Sequence, residues 1–147
     1  MADDIRTVRA DDVAPNRRRG GDIRVLLSPR TVGSTSGFFG TLTLRPGEFV
    51  AEHYHPHSEE FLYVVSGSPA LRLDGGPEAG GSLVQLFPGA AVMVPIGTRH
   101  RLENSADSPA ELVFHLSPLA PRPELGHVDT ETLPAAGEPQ LNVGGAR

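Results

Sequence analysis

Apolar positions along this chain come in short bursts. From Asp22 onward they form Ile23–Leu27, Phe38–Leu44, Phe49–His55, Phe61–Val65, Ala70–Leu73, Leu83–Leu86, Ala91–Val94, His100–Glu103 and Glu111–Leu116. Each run has the length of a strand, and many alternate apolar with polar residues. Turn-forming residues separate them: Pro46-Gly47, Ser66-Gly67, Asp74-Gly75-Gly76, Pro88-Gly89 and Ile96-Gly97. No stretch of eleven residues in this core keeps a helical period. Many short strands with regular turns predict an all-β sandwich or barrel.

The ends differ from the middle. Residues 1–20 are polar and charged and read as an N-terminal arm, ordered by a partner subunit if at all; its triplet Arg17, Arg18, Arg19 reads as a solvated face. Residues 21–120 carry the strands. Residues 121–147 are crowded with proline and read as a C-terminal tail, flexible over its last dozen residues. At 147 residues the chain fits one domain with a real core.

Composition then removes several chemistries. The chain has no cysteine, which excludes disulfides, thiolate ligands and a cysteine nucleophile. All 13 basic residues are arginine, so a lysine Schiff base is excluded too. The net charge of −5 argues against nucleic acid as a partner. No apolar run is long enough for a membrane helix and no signal-peptide pattern opens the chain, so a cytoplasmic protein without a membrane partner is expected.

Histidines supply the candidate chemistry. His53, His55 and His57 alternate ahead of Glu59 and Glu60. Residues two apart on a strand share a face about 6.5 Å from each other. From there the imidazoles of His53 and His55 can converge on one ion at about 2.1 Å per nitrogen. Pro56 interrupts the strand, which places His57 in the following turn. The glycines Gly47, Gly67, Gly89 and Gly97 lie between apolar runs, where tight turns call for positive φ.

Two spaced motifs then resemble those of the cupins. Gly47, His53, His55, Glu60 and Gly67 match the first motif, and Gly89, Pro95, Gly97, His100 and Asn104 match the second. The resemblance implies a single-domain jelly-roll β-barrel with one divalent metal on His53, His55, Glu60 and His100. Asn104 is expected to hold a turn through backbone hydrogen bonds. The fourth ligand is open between Glu60, His57 and His115. His115 lies between Phe114 and Leu116, so it faces the cavity only if those two pack outward. His127 is left as a surface residue.

Longer stretches, "LLSPRTVGSTSGFFGTLTLRPGE", "EHYHPHSEEFLYVVSG" and "FHLSPLAPRPELGHVDTE", are similar to the cupin-type cyclases of bacterial aromatic polyketide pathways, the tetracenomycin and resistomycin types. This similarity implies ring closure in a poly-β-ketone chain by intramolecular aldol condensation and dehydration. It also implies a homodimer, and other polyketide synthase subunits as partners. A non-redox cyclisation favours zinc, with Fe, Ni or Mn as alternatives. An unligated histidine, His57 or His115, is the expected proton carrier. Two alternatives remain: a cupin dioxygenase acting on a phenolic substrate, and a non-catalytic subunit that guides the chain. A sugar isomerase fits the apolar interior poorly.

Overall fold

The computed structural model describes residues 5–141 and 143. Ten strands run in chain order: β1 Asp22–Leu27, β2 Phe38–Leu44, β3 Phe49–Tyr54, β4 Glu59–Ser66, β5 Ala70–Leu73, β6 Ser82–Gln85, β7 Ala91–Val94, β8 His100–Glu103, β9 Ala110–Ser117 and β10 Val128–Asp129. The nine apolar runs all recur as strands, with ends moved by one or two residues. Strand β10 is the addition, and two residues are too few to carry a period.

The strands form two antiparallel five-stranded sheets, in the orders β1-β2-β9-β4-β7 and β10-β3-β8-β5-β6. Alternation decides what lies between them. Leu42 and Leu44 of β2, Leu62 and Val64 of β4, and Leu112, Phe114 and Leu116 of β9 all point inward into one core. Leu71 and Leu102 meet them from the other sheet. This is the all-β sandwich the pattern predicts.

The turns explain several glycines. Gly47, Gly67, Gly89 and Gly97 all adopt φ between 81° and 87°. Gly67 is needed for space as well, because a Cβ there would stand 2.5 Å from the Pro109 carbonyl oxygen. Gly97 donates its N–H to the His55 carbonyl at 2.9 Å. The turn before β8 is thereby tied to the end of β3.

Asn104 organises the opposite end. Its side chain donates to the carbonyls of Leu44 and Ser108, both at 2.9 Å, and accepts from Ala106 N–H at 3.1 Å. Its main chain bonds Gly47 and Glu48. The turn-holding role expected for it is what the structure shows.

Both chain ends depart from expectation. Asn16 bridges Ile23, so the arm covers the free edge of β1 within its own chain. Arg17 N–H donates to Glu138, and Arg18 Nη1 donates to the carbonyls of Ala136 and Glu138. Asn16 Nδ2 reaches the Pro139 carbonyl at 2.9 Å. The arginine triplet is therefore tied to the C-terminal part of the chain, through the Arg17 main chain and the side chains of Arg18 and Arg19, rather than forming a solvated face. Beyond these contacts, Leu141 and Val143 pack against the core instead of trailing into solvent.

Removing the Asn104 side chain leaves two carbonyls and one N–H without partners at a fully buried position. Asn104→Ala is expected to lower unfolding stability by about 2–4 kcal/mol, measured by urea denaturation. A loss under about half a kcal/mol would contradict the structural role.

Candidate metal centre

Strand pairing brings the two halves of the site together. His53 of β3 and His100 of β8 are direct cross-strand partners, and their ring centroids lie 4.4 Å apart. A register shift between Val50 and His53 breaks strict alternation, so both side chains face inward. His55 follows two residues on, with its ring 4.8 Å from His53 and 5.3 Å from His100. Glu60 enters from the other sheet, on the same face of β4 as Leu62 and Val64. One ligand atom from each of these four residues lies within 4.8 Å of the others.

All three imidazoles are aimed in the same way. His53 Nδ1 bonds the Ala51 carbonyl at 2.8 Å, His55 Nδ1 the Gly126 carbonyl at 2.9 Å, and His100 Nδ1 the Thr98 carbonyl at 2.9 Å. A carbonyl can only accept, so each Nδ1 carries the proton and each Nε2 points at the common centre. His55 Nε2 is buried and has no hydrogen-bond partner among the described residues. An orphaned imidazole nitrogen beside two others and a carboxylate fits a cation.

Charge within the cluster is balanced locally. Glu60 Oε1 lies 2.9 Å from His100 Nε2 and 3.6 Å from His55 Nε2. Burial alone would raise the Glu60 pKa, but the neighbouring imidazoles hold it well below the usual carboxylate value. Burial works against a charged His100 as well, yet Glu60 raises its pKa. His53 moves the other way: burial, then the His100 and His55 charges, lower it well below the ordinary histidine value. Burial costs are thus met inside the cluster, with one histidine kept neutral.

The cluster opens into a cavity of about 110 Å³. Its walls are mostly apolar: Val25, Leu42, Leu62, Phe114, Leu116 and Leu119 among others, with Leu141 and Val143 of the C-terminal segment completing them. Arg19 and His127 also line it. Neither was expected, since Arg19 reads as surface charge and His127 as a tail histidine. His127 follows Gly126, whose carbonyl orients His55, and precedes β10, which pairs with β3 at His53. Burial, followed by the nearby Arg19 charge, lowers its pKa to about 4.

Two expected residues lie elsewhere. His57 sits in the bend between β3 and β4, as Pro56 suggests, and does not line the cavity. His115 is on the outer face of its sheet, beside Phe61 with ring centroids 6.1 Å apart. The cause is strand parity: Phe114 and Leu116 pack inward, so His115 must point outward. Glu60, rather than either histidine, joins His53, His55 and His100.

Residues 40–116 match the cupin domain family. This chain is a cupin. Among known proteins it is 54% identical over 129 residues to polyketide synthase CurC of Streptomyces cyaneus, covering 86% of this chain and 78% of that protein. It is 49% identical over 138 residues to tetracenomycin polyketide synthase protein TcmJ of Streptomyces glaucescens, covering 94% and 89%. Among solved structures, oxalate decarboxylase of Bacillus subtilis, which has Mn(II) centres, superposes with a TM-score of 0.68 at 21% identity. That match covers 83% of this cupin and 31% of the decarboxylase and shows the shared fold.

A cation held by this cupin's four side chains predicts a sharp division among its histidines. Alanine at His53, His55 or His100 should weaken zinc binding by at least about a hundredfold in competition with a chelating dye. Alanine at His57 or His115 should leave it unchanged. Equal losses at all five positions would contradict the assignment.

Proposed function

We propose that this cupin is a metal-dependent cyclase of aromatic polyketide biosynthesis, closing rings in a poly-β-ketone chain by intramolecular aldol condensation and dehydration. The observation that carries the reading is that the His53, His55, Glu60, His100 cluster lines a largely apolar cavity. The polyketide synthase names of CurC and TcmJ, at about half identity over most of the chain, supply the substrate class.

His53, His55, Glu60 and His100 would hold the ion. A divalent cation there supplies Lewis acidity toward a carbonyl oxygen, and zinc suits a reaction with no redox step. The rest falls to the protein. The cavity walls fold the chain and keep water from the reactive methylene. His127 takes over the proton role first expected of His57 or His115, because it is the imidazole of the cavity outside the cluster. With a pKa of about 4 it is neutral at pH 7. Its Nε2 lies 3.8 Å from Asp129 Oδ2, so a proton on Nε2 faces the carboxylate and the lone pair is left on Nδ1.

In this scheme Nδ1 of His127 takes a proton from a methylene between two ketones. The resulting carbon attacks a third, more distant ketone of the same chain; a C–C bond forms and the C=O π bond opens. The proton held on Nδ1 passes to the new alcohol oxygen, and loss of water completes the ring. No oxidant is consumed, which separates this reading from a dioxygenase.

A reconstituted synthase tests it. Stripping the cupin with a chelator should abolish its cyclised product, and zinc should restore it under anaerobic conditions. His127→Phe should lower the rate about a hundredfold with metal content unchanged. Parent rates from the stripped protein, or a requirement for oxygen, would overturn the proposal. Parent rates from a metal-free His53→Ala/His100→Ala variant would identify a chain-guiding subunit instead.

The homodimer belongs to this reading as well, as do synthase subunits as partners and a cytoplasmic site of action. Register aligns Phe39, His115, Phe61 and Met93 across the outer face of one sheet. Phe61, Tyr63, Val65 and Met93 there are 41–51% exposed, an apolar patch suited to burial against a second copy. Light scattering at micromolar concentration should give a dimer mass for the parent and a monomer mass for Phe61→Glu/Tyr63→Glu. A monomeric parent would contradict it.

A further inference from the structure

Arg19 stands in the cavity wall with a buried guanidinium nitrogen that has no partner among the described residues. Its side chain is only 11% exposed, and Nε donates to Asp129 Oδ1 at 3.0 Å. Nη2 is shut off from solvent and has no hydrogen-bond partner among the described residues. Arginine stays charged when buried and carries five N–H donors, so an unmet one is costly unless something else accepts from it.

The position is built rather than accidental. Gly20 takes φ +102° and passes so close to β3 that a Cβ would stand 2.0 Å from the Phe49 carbonyl oxygen. That close passage lets the Arg19 carbonyl accept from Ala51 N–H at 2.8 Å. Ala51 in turn holds His53 Nδ1 through its own carbonyl. On its other side Arg19 is fixed by Asp129, which pairs with His53 across β3 and β10. One short run of main chain therefore sets both the first imidazole of the cluster and the guanidinium.

We infer that Arg19 is the specificity-determining anchor of this cavity, with Nη2 donating to a ketone or enolate oxygen of a β-diketone unit. The inference rests on the polyketone reading for the class of ligand, and it adds a second fixed point to the chain. A β-diketone is acidic, and its enolate spreads negative charge over two oxygens. A guanidinium binds such an oxygen through a charge-assisted hydrogen bond, roughly twice as strong as a neutral one. Leu141 and Val143, which fill out the same cavity, carry no side-chain acceptor. A ligand taking their place would bring the acceptor that Nη2 lacks. Holding one oxygen at the four-residue cluster and another at Arg19 sets which carbons of a long chain lie side by side, and so which ring closes.

Two probes of similar size separate this role from packing: naphthoylacetone, a β-diketone, and acetonaphthone, a single ketone. Each is titrated into the parent protein, Arg19→Met and Arg19→Lys, with chelator and again with zinc. In both media Arg19→Met should bind naphthoylacetone at least about tenfold more weakly than the parent. Acetonaphthone affinity should change little. Arg19→Lys, which keeps the charge without the fork, should fall between. In the parent alone, the bound diketone should show the red-shifted absorption of its enolate. An Arg19 effect that survives in chelator with no response to zinc supports this assignment while counting against the metal-dependent reading. Unchanged diketone affinity in a folded Arg19→Met protein, equal losses for both probes, or no binding by the parent would overturn it.

Discussion

Three hydrogen bonds from imidazole Nδ1 atoms to main-chain carbonyls set the geometry of the histidine cluster. The carbonyls of Ala51, Gly126 and Thr98 belong to three separate parts of the chain. Each fixes a proton on Nδ1 and turns Nε2 toward one point. None of these bonds is strong alone. Their effect depends on a closed pair of sheets that keeps water from competing and pins β3 beside β8. The barrel matters less as a container than as a frame that turns three backbone carbonyls into aiming devices.

The same frame explains why the chain ends matter. Residues 16–19 and 135–139 hold each other across the barrel, and β10 lies against β3. Arg19 comes from the first of these segments and His127 from the turn just before β10, and both line the cavity, with Asp129 of β10 holding Arg19 in place. The strands and the turn after β3 supply the candidate ligands and most of the apolar wall, while Arg19 and His127, from outside the strands, add polar groups to the lining. Such a division lets cavity chemistry change without disturbing the core.

Much of this was legible in the sequence, for physical reasons. Strand periodicity is local, so all nine apolar runs were found. Glu60 follows from the resemblance to the first cupin motif rather than from periodicity, and on β4 it shares the inward face with Leu62 and Val64. The facing of His115 stays conditional in the sequence because parity fixes only relative facing; which face is inward depends on neighbours β2 and β4. Arg19 and His127 were missed for a different reason. Each lies in a polar, glycine- or proline-flanked stretch, and each becomes buried only through contacts made from far along the chain. No local pattern marks such a residue, though the Gly20-Gly21 pair was a sign that the backbone there makes a close approach.

The cyclisation proposed for the cavity depends on His53, His55, Glu60 and His100 surrounding one cation. The most direct measurement is an anomalous-difference map at the metal edge from crystals of the zinc-loaded protein. One peak per chain is expected, about 2.0–2.2 Å from Nε2 of all three imidazoles and from a Glu60 oxygen. A peak coordinated by Nδ1 atoms, a peak at His57, His115 or His127 instead, or no peak at all would contradict it.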